Sequence, residues 1–522
     1  MKLSRLVSAL TPKRLNGTTA LHFCDGLNFG GIDPDPDIGS IHYRAQDVQP
    51  GGLFVAVPGF KADGHDFIDD ALARGAVAIV AEKPVEKDTI LIEVEHSRQA
   101  LSALAAAFYG NPSQRLCIIG ITGTNGKTTT SYLIENILMQ AGFKAGVIGT
   151  VNYRYGGRSF DNPMTTPEAV DLQRILAEMA GAGVTHVVLE VSSHAIDLYR
   201  IDHCWMDIGV FTNLTHDHHD YHGNMDNYWA CKKRLFTEYL TAGPKRDSAV
   251  AVINCNDARG RELSDILTLS KLTSGQSAHN EIYPEGVSHS LSGMEGTILT
   301  PAGRFQFRSP LVGEHNLENI LCAAAVSTAL RIPPAVIKRG IETVTLVPGR
   351  LEPVSNHCGK FVYVDYAHTP DALEHVLTSL TAITTGRLIC VFGCGGDRDR
   401  SKRSEMGAIA GRLCDLAVIT SDNPRTENPL DIIDEVREGA RKTSPGEYMP
   451  SEMGPGIQKK GYVVEPDRRR AIEGAIRTAA KGDTVLIAGK GHETYQIIGT
   501  TRTHFNDVEE AGRVLREEDD SH

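Results

Sequence analysis

Residues 116–130 read Leu-Cys-Ile-Ile-Gly-Ile-Thr-Gly-Thr-Asn-Gly-Lys-Thr-Thr-Thr, an apolar run, a glycine-rich turn and the opening of a helix. Residues 116–119 predict a buried strand, and Leu133, Ile134, Ile137 and Leu138 share one face of the helix that follows. That context suits a phosphate loop. Gly123 and Gly126 let backbone N–H groups turn inward around phosphate oxygens, and the helix N-terminus adds its positive dipole end. Lys127 neutralises charge, and Thr128 can hold Mg²⁺. Ile121 stands where the longer form of the loop has its first glycine, so Gly123-Thr124-Asn125-Gly126-Lys127-Thr128-Thr129 is the shorter variety. A glycine-rich turn with a solvated lysine is the competing reading; the strand before and the helix after favour an ATP site.

A chain of 522 residues accommodates about three domains, each able to bury its own core. Its net charge of -12 argues against nonspecific nucleic-acid binding, so small molecules are the expected partners. The N-terminus Met-Lys-Leu-Ser-Arg-Leu-Val has no apolar signal core, and no run approaches membrane-spanning length. No membrane insertion and a cytoplasmic location are expected. Ten scattered cysteines without a Cys-x-x-Cys pair suggest neither a disulfide framework nor a structural zinc site.

Residues 1–97 form a small α/β unit, with a strand in Gly51-Gly52-Leu53-Phe54-Val55-Ala56-Val57, a helix near 67–74 and a strand at 77–81. A helix at 98–109 opens the second unit, 98–346. There Val187-Val188-Leu189 ends in Glu190-Val191-Ser192-Ser193-His194, and ligands of open α/β sheets sit beyond such strand ends. Glu190 therefore stands where phosphate-bound Mg²⁺ would lie. The run Thr212-Asn213-Leu214-Thr215-His216-Asp217-His218-His219-Asp220-Tyr221-His222 could alone be a zinc site or a solvated loop. Beside a phosphate loop, Mg²⁺ held by Glu190 and His218 is more economical. Lys232 and Lys233 fall on a helix at 228–236, where a solvated face is the plain reading. Asn316 and Asn319 open a helix at 320–330, as caps or as nucleotide contacts.

From 347 to 522 the pattern restarts as a mostly parallel sheet, with strands at 361–365, 388–392, 416–420 and 485–488. Three of them end in charged turns: Gly395-Gly396-Asp397-Arg398-Asp399-Arg400, Asp422-Asn423-Pro424-Arg425 and Gly489-Lys490-Gly491-His492-Glu493. Convergence on one rim would make a charged small-molecule pocket. Residues 441–461 read as a loop, and the acidic tail 517–522 as disordered.

Taken together, these motifs resemble the ATP-dependent Mur ligases, most strongly those that add meso-2,6-diaminopimelate, over about residues 51–507. The resemblance implies three α/β domains: a small uridine-binding domain (1–97), a central P-loop ATPase domain (98–346) and a Rossmann-like amino-acid domain (347–522). It implies that ATP activates the carboxylate of UDP-N-acetylmuramoyl-L-alanyl-D-glutamate as an acyl phosphate, which the diaminopimelate amine attacks. Lys127, Glu190, His218 and Lys232 would be catalytic, with Thr128, Glu190, His218 and Lys232 at Mg²⁺. Lys232, in the pattern Tyr228-x-x-x-Lys232-x-x-Leu235-Phe236, matches a lysine carbamylated by CO₂ in the family. Asn319, Arg350, Asp365 and His368 match positions around ATP, and Arg44, Thr165, Thr166, Ser192 and Arg200 positions along the UDP substrate. Arg398, Asp422, Asn423, Pro424, Arg425, Gly489 and Glu493 match the diaminopimelate pocket. Two guanidiniums suit the distal carboxylate that diaminopimelate has and lysine lacks; a structural salt bridge to Asp397 or Asp422 is their alternative role. The family's usual Asp-Ser-Arg reads His42-Tyr43-Arg44 here, and a frequent glutamine is Leu198. A monomer is the expected state. A folate or lysine ligase, a phosphate-loop kinase and a nucleotide-gated binding protein are competing readings, against which the arginine-bearing last pocket speaks.

Overall fold

The computed structural model describes residues 1–520 except 11–13, 16–32, 34, 60–61, 218 and 456, with 14, 15, 219 and 220 described as backbone only. Three sheets carry the molecule. In the first, Ile90–Glu93, Ala76–Ala81, Gly52–Val55 and Ser40–His42 lie parallel in that order, with Arg14–Leu15 antiparallel at the edge. The helix Ser97–Phe108 packs Ala100, Leu101, Leu104 and Ala105 into this first core while also meeting Ala169 and Val170 of the next domain. A division between 97 and 98 therefore separates this helix from the core it completes.

The middle sheet runs Ser270–Ser274, Val250–Asn254, Ile208–Phe211, Cys117–Thr122, His186–Glu190 and Ala145–Ile148, all parallel. Two short antiparallel strands, Tyr153–Tyr155 and Arg158–Phe160, finish its edge. The phosphate-loop strand is central. Its helix, Lys127–Gln140, buries Leu133, Ile134, Ile137 and Leu138 completely, the face expected from their spacing, at roughly 1.5–3 kcal/mol of stabilisation each. A three-stranded antiparallel sheet, Tyr283–Ser290, Gly293–Thr300 and Gly303–Ser309, is an addition that the sequence reading did not contain.

The third sheet orders Phe361–Asp365, Thr484–Ala488, Leu388–Phe392, Leu416–Ile419, Gly461–Val464 and Glu447–Tyr448 in parallel, with Glu352–Pro353 antiparallel. The three strands ending in charged turns are neighbours. The tail expected to be disordered is helical to Asp519, because Asp507–Asp519 buries Ala511, Val514 and Leu515 and its end is tied down. Glu518 pairs with Lys360, and Asp519 accepts from the His357 N–H. The start of that helix is fixed by a fully buried ion pair. Arg468 Nε and Nη2 lie 2.8 and 2.6 Å from the Asp507 carboxylate, and Nη2 also donates to the Ala488 carbonyl at 2.9 Å. Removing one partner leaves a buried charge alone. Asp507→Ala is expected to destabilise the third domain by about 3–5 kcal/mol, read from its urea unfolding.

Candidate active site

The loop after Cys117–Thr122 is braced from both sides. Gly123 (φ +150°) faces Thr212 so closely that a Cβ would sit 1.9 Å from its Oγ1, and a Cβ on Gly126 (φ +85°) would sit 2.2 Å from Asn319 Oδ1. Only glycine fits either place. The Thr124 and Asn125 N–H groups donate to the main-chain and side-chain oxygens of Asn213 at 2.9 and 2.8 Å. Asn319 does not cap its helix, which begins earlier, at Glu314; its Oδ1 instead accepts from Thr130 on the phosphate-loop helix at 3.3 Å. Lys127 Nζ donates to the Gly123 and Thr124 carbonyls at 2.8 Å each. Thr128 and Thr129 are buried in the first turn.

Lys232 is not on a solvated face. It is 1% exposed, donates to the same Gly123 carbonyl at 2.8 Å and lies 4.5 Å from the Tyr228 ring centroid. Among the described residues no carboxylate reaches ion-pair distance of it. Burial first, and Lys127 second, push its ammonium well below the ordinary lysine range. Glu190, also 1% exposed, has the complementary problem: it accepts from the Thr128 and Thr150 hydroxyls at 3.1 and 2.8 Å but pairs with no cation among the described residues. His218 lies outside the described residues, and no cluster of three His, Cys, Asp or Glu suited to a metal occurs among them. A buried, uncompensated carboxylate beside the threonine hydroxyl fits a hard, oxygen-seeking cation such as Mg²⁺, which takes few protein ligands and keeps waters.

The third domain reaches this loop. Arg350 Nη2 donates to Thr128 Oγ1 at 3.2 Å, and Asn125 Nδ2 to Asp371 Oδ2 at 3.2 Å. Asp371 escaped the sequence reading, its only signal being its place in the first turn of a helix after Thr369-Pro370. Asp365 is buried and accepts from the Leu351 and Ala367 N–H groups at 2.7 and 2.8 Å, shaping the segment that carries Arg350. His368 is exposed nearby, its Nδ1 2.8 Å from the Tyr366 carbonyl.

On the other side, Thr165, Thr166 and Ser192 join the Glu190 cluster. Thr150 Oγ1 is 3.1 Å from Thr165 Oγ1, and Thr166 Oγ1 donates to the Glu190 carbonyl and accepts from Ser192 N. Arg200 donates to the Thr166 carbonyl at 3.2 Å and pairs with Glu168 at 2.8 Å. Glu168 also borders a cavity of about 330 Å³ in the first domain, together with Tyr43, Arg44, Phe67 and Arg98. Arg44 is exposed at this cavity. The departures are accommodated locally: the Tyr43 hydroxyl donates to Asp171 at 3.1 Å, and His42 Nε2 lies 2.7 Å from Ser40 Oγ.

The three charged turns of the last domain do meet. Asn423 Nδ2 donates to Glu493 Oε2 at 3.0 Å, and a Cβ on Gly489 (φ +115°) would lie 2.6 Å from Asp422 Oδ2. Buried Pro424 leads into Arg425, whose Nη1 donates to the Gly396 carbonyl at 2.7 Å. Neither Arg425 nor the exposed Arg398 forms an ion pair among the described residues, so the salt-bridge alternative is not what the structure holds. Asp397 is occupied by Thr426, and Asp422 lies 3.7 Å from Lys490, a fully buried residue to which the sequence reading gave no role.

Family profiles described as Mur ligase family, catalytic domain, Mur ligase middle domain, and Mur ligase, glutamate ligase domain match residues 37–109, 121–327 and 349–491. A relative from Geobacter metallireducens, a UDP-N-acetylmuramoyl-L-alanyl-D-glutamate--2,6-diaminopimelate ligase, is 46% identical over 99% of both chains. The chain belongs to the Mur ligase family. A Gloeobacter violaceus ligase of the same name is 44% identical to this Mur ligase, over 92% of this chain and 94% of its own. A solved structure of a ligase so named is 30% identical, with a TM-score of 0.65 over 94% of this chain and 99% of its own. The Thermotoga maritima MurF ligase, solved with ADP, shares the fold at 20% identity and a TM-score of 0.61, over 92% of this chain and 98% of its own. Like the family, this Mur ligase uses ATP. Gly126→Ala, which forces both a strained backbone and a clash with Asn319, is expected to weaken ATP binding by about tenfold or more, measured by calorimetric titration.

Proposed function

We propose that this ligase adds meso-2,6-diaminopimelate to UDP-N-acetylmuramoyl-L-alanyl-D-glutamate, giving the UDP-linked tripeptide, ADP and phosphate in peptidoglycan synthesis. The observation that carries the reading is the match along nearly the whole chain to ligases of that name, at 46% identity. Arg425, which faces Glu493, and Arg398, which lies with Arg425 beside Gly395, form no ion pair among the described residues and support the choice of amine, since a distal carboxylate and ammonium need both signs of charge.

In the proposed reaction an oxygen of the D-glutamate γ-carboxylate attacks the γ-phosphorus of ATP. The bond to the bridging oxygen breaks and ADP leaves. The amine then attacks the acyl carbon, the tetrahedral centre expels phosphate with the bonding pair, and the nitrogen loses its proton. Lys127 and Arg350 screen the approach of two anions, and the loop N–H groups hold the phosphates. Thr128, Glu190 and His218 would hold Mg²⁺, which neutralises phosphate charge when bound. Asn319 fixes the loop, and His368 with Asp365 borders the nucleotide. Thr165, Thr166, Ser192 and Arg200 would orient the peptide, with uridine in the cavity at Arg44. Asp422, Asn423, Pro424, Gly489 and Glu493 would form the amine pocket. The division of labour is by domain, 1–97, 98–346 and 347–522, with the helix Ser97–Phe108 packed on the first. One chain supplies every region, which supports a monomer as the working unit. No helix among the described residues is long and apolar enough to cross a membrane; the cytoplasm, where ATP and nucleotide precursors are made, is the proposed compartment.

Lys232 as a carbamate completes the proposal. Its lowered basicity favours the free amine that reacts with CO₂, forming an N–C bond and releasing a proton, and the product anion suits a metal where an ammonium does not. Protein equilibrated with ¹³C-bicarbonate is expected to give a carbamate carbon signal that Lys232→Ala lacks; a signal surviving that substitution refutes the assignment. For the function itself, phosphate release with the UDP-dipeptide should require diaminopimelate and not lysine, and Arg425→Ala should raise the diaminopimelate KM by about a hundredfold. Equal use of lysine would discard the arginine argument, and release without any amine would discard the ligase reaction.

A further inference from the structure

Lys490 follows the strand Thr484–Ala488 by two residues, and its side chain is 0% exposed. Its Nζ lies 3.1 Å from Asn423 Oδ1, 3.7 Å from Asp422 Oδ1 and 3.6 Å from Glu493 Oε2. One buried ammonium thus touches three groups of the proposed amine pocket. Asn423 Oδ1 also accepts from the Ile497 N–H at 2.9 Å. With two donors on that oxygen, the amide has one orientation, and Nδ2 must face Glu493.

We propose that Lys490 is a positioning residue for the amine substrate, standing between Asp422 and Glu493 and locking the Asn423 amide, so that Glu493 presents its negative charge to a distal ammonium. The inference rests on the function proposed above. Two carboxylates in one desolvated site drive each other toward protonation unless a cation separates them. Burial and then Asp422 raise the Glu493 pKa, while Lys490, Asn423 and Arg425 oppose the rise. Also facing this cluster are Arg468 from the helix Arg468–Thr478, Tyr366 beyond the strand Phe361–Asp365, Cys394 beyond the strand Leu388–Phe392, and Tyr495 of the two-stranded hairpin Tyr495–Ile498 and Thr501–His504, whose ring centroid is 5.7 Å from Lys490 Nζ. Arg468 is already engaged by Asp507, so Lys490 is the cation in contact with both carboxylates.

The test uses full-length enzyme and steady-state kinetics between about pH 6.5 and about pH 8.5, where an unperturbed carboxylate does not titrate. Lys490→Met keeps the stem and removes the charge. Its diaminopimelate KM relative to wild type is expected to rise about tenfold or more at the low end and less at the high end, as Glu493 regains its charge with rising pH. KM for ATP should not move, and Lys490→Arg should restore a flat ratio. Asp422→Asn added to Lys490→Met removes the neighbouring carboxylate that drives Glu493 toward protonation, so it should bring the low-pH ratio back down. Should Lys490→Met not fold, Asp422→Asn alone carries the test. It leaves Lys490 to pair with Glu493 alone and so weakens the charge Glu493 presents, and diaminopimelate KM should rise at every pH; an unchanged KM overturns the proposal. A pH-independent ratio in Lys490→Met, or an equal rise in KM for ATP, also overturns it. Wild-type enzyme without diaminopimelate-dependent turnover would instead overturn the function proposed above, and this inference with it.

Discussion

Two ammonium groups, those of Lys127 and Lys232, share the carbonyl oxygen of Gly123 at 2.8 Å each. Like charges so close, with Lys232 buried, are tolerable only where one is neutral or an anion joins them. Nearly everything around the loop serves to hold that arrangement. Thr212 and Asn319 fill the space beside the two glycines, Asn213 binds the loop N–H groups, and Tyr228 lies against the lysine and within 3.2 Å of Thr124 Oγ1. Opposite them stands Glu190, a buried carboxylate held, among the described residues, by two hydroxyls and an N–H. The site stores separated charge that phosphate and a divalent cation would balance.

The second dependence is on reach between domains. A phosphate loop alone binds a nucleotide, but a ligase of the proposed kind must bring a carboxylate oxygen to the γ-phosphorus and then an amine to the carbon of that carboxyl group. Arg350 and Asp371 cross from the third domain to Thr128 and Asn125, while Arg200 and Glu168 carry the path toward the first-domain cavity. Asp365 links the two chemical regions of the third domain: its side chain shapes the Arg350 segment, and its carbonyl accepts from the Gly489 N–H at 3.1 Å. The proposed amine pocket and the proposed nucleotide edge are therefore built on one strand end.

Much of this was legible before any coordinates. Strand, glycine turn and amphipathic helix at 117–140 follow from local periodicity, as do four strands of the third sheet and the polar character of their ends, whereas Glu447–Tyr448 lies in the stretch 441–461 that reads as a loop. The failures have local causes as well. Acidic composition suggested a disordered tail, but Ala511, Val514 and Leu515 recur at helical spacing and carry the segment into the core. Asn319 resembles a cap because it precedes the apolar run at 320–330, whereas the helix starts at Glu314. Asp371 and Lys490 look like ordinary solvated charges in sequence, since burial of a charged group depends on what the rest of the chain packs over it.

By itself the sequence determined the strand, glycine turn and helix at 117–140, four strands of the third sheet and which family the chain resembles, because these depend on residues within one turn or one strand of each other. Tertiary structure decided the rest. That Lys232 is buried beside Lys127, that Arg425 pairs with no acid among the described residues, and that Lys490 joins Asp422, Asn423 and Glu493 are consequences of contacts across 67 or more residues in the key cases of Lys490 with Asn423 and Lys232 with Gly123. Charge state and pairing are set by distance and exclusion of water, and neither is written in the order of residues along a chain.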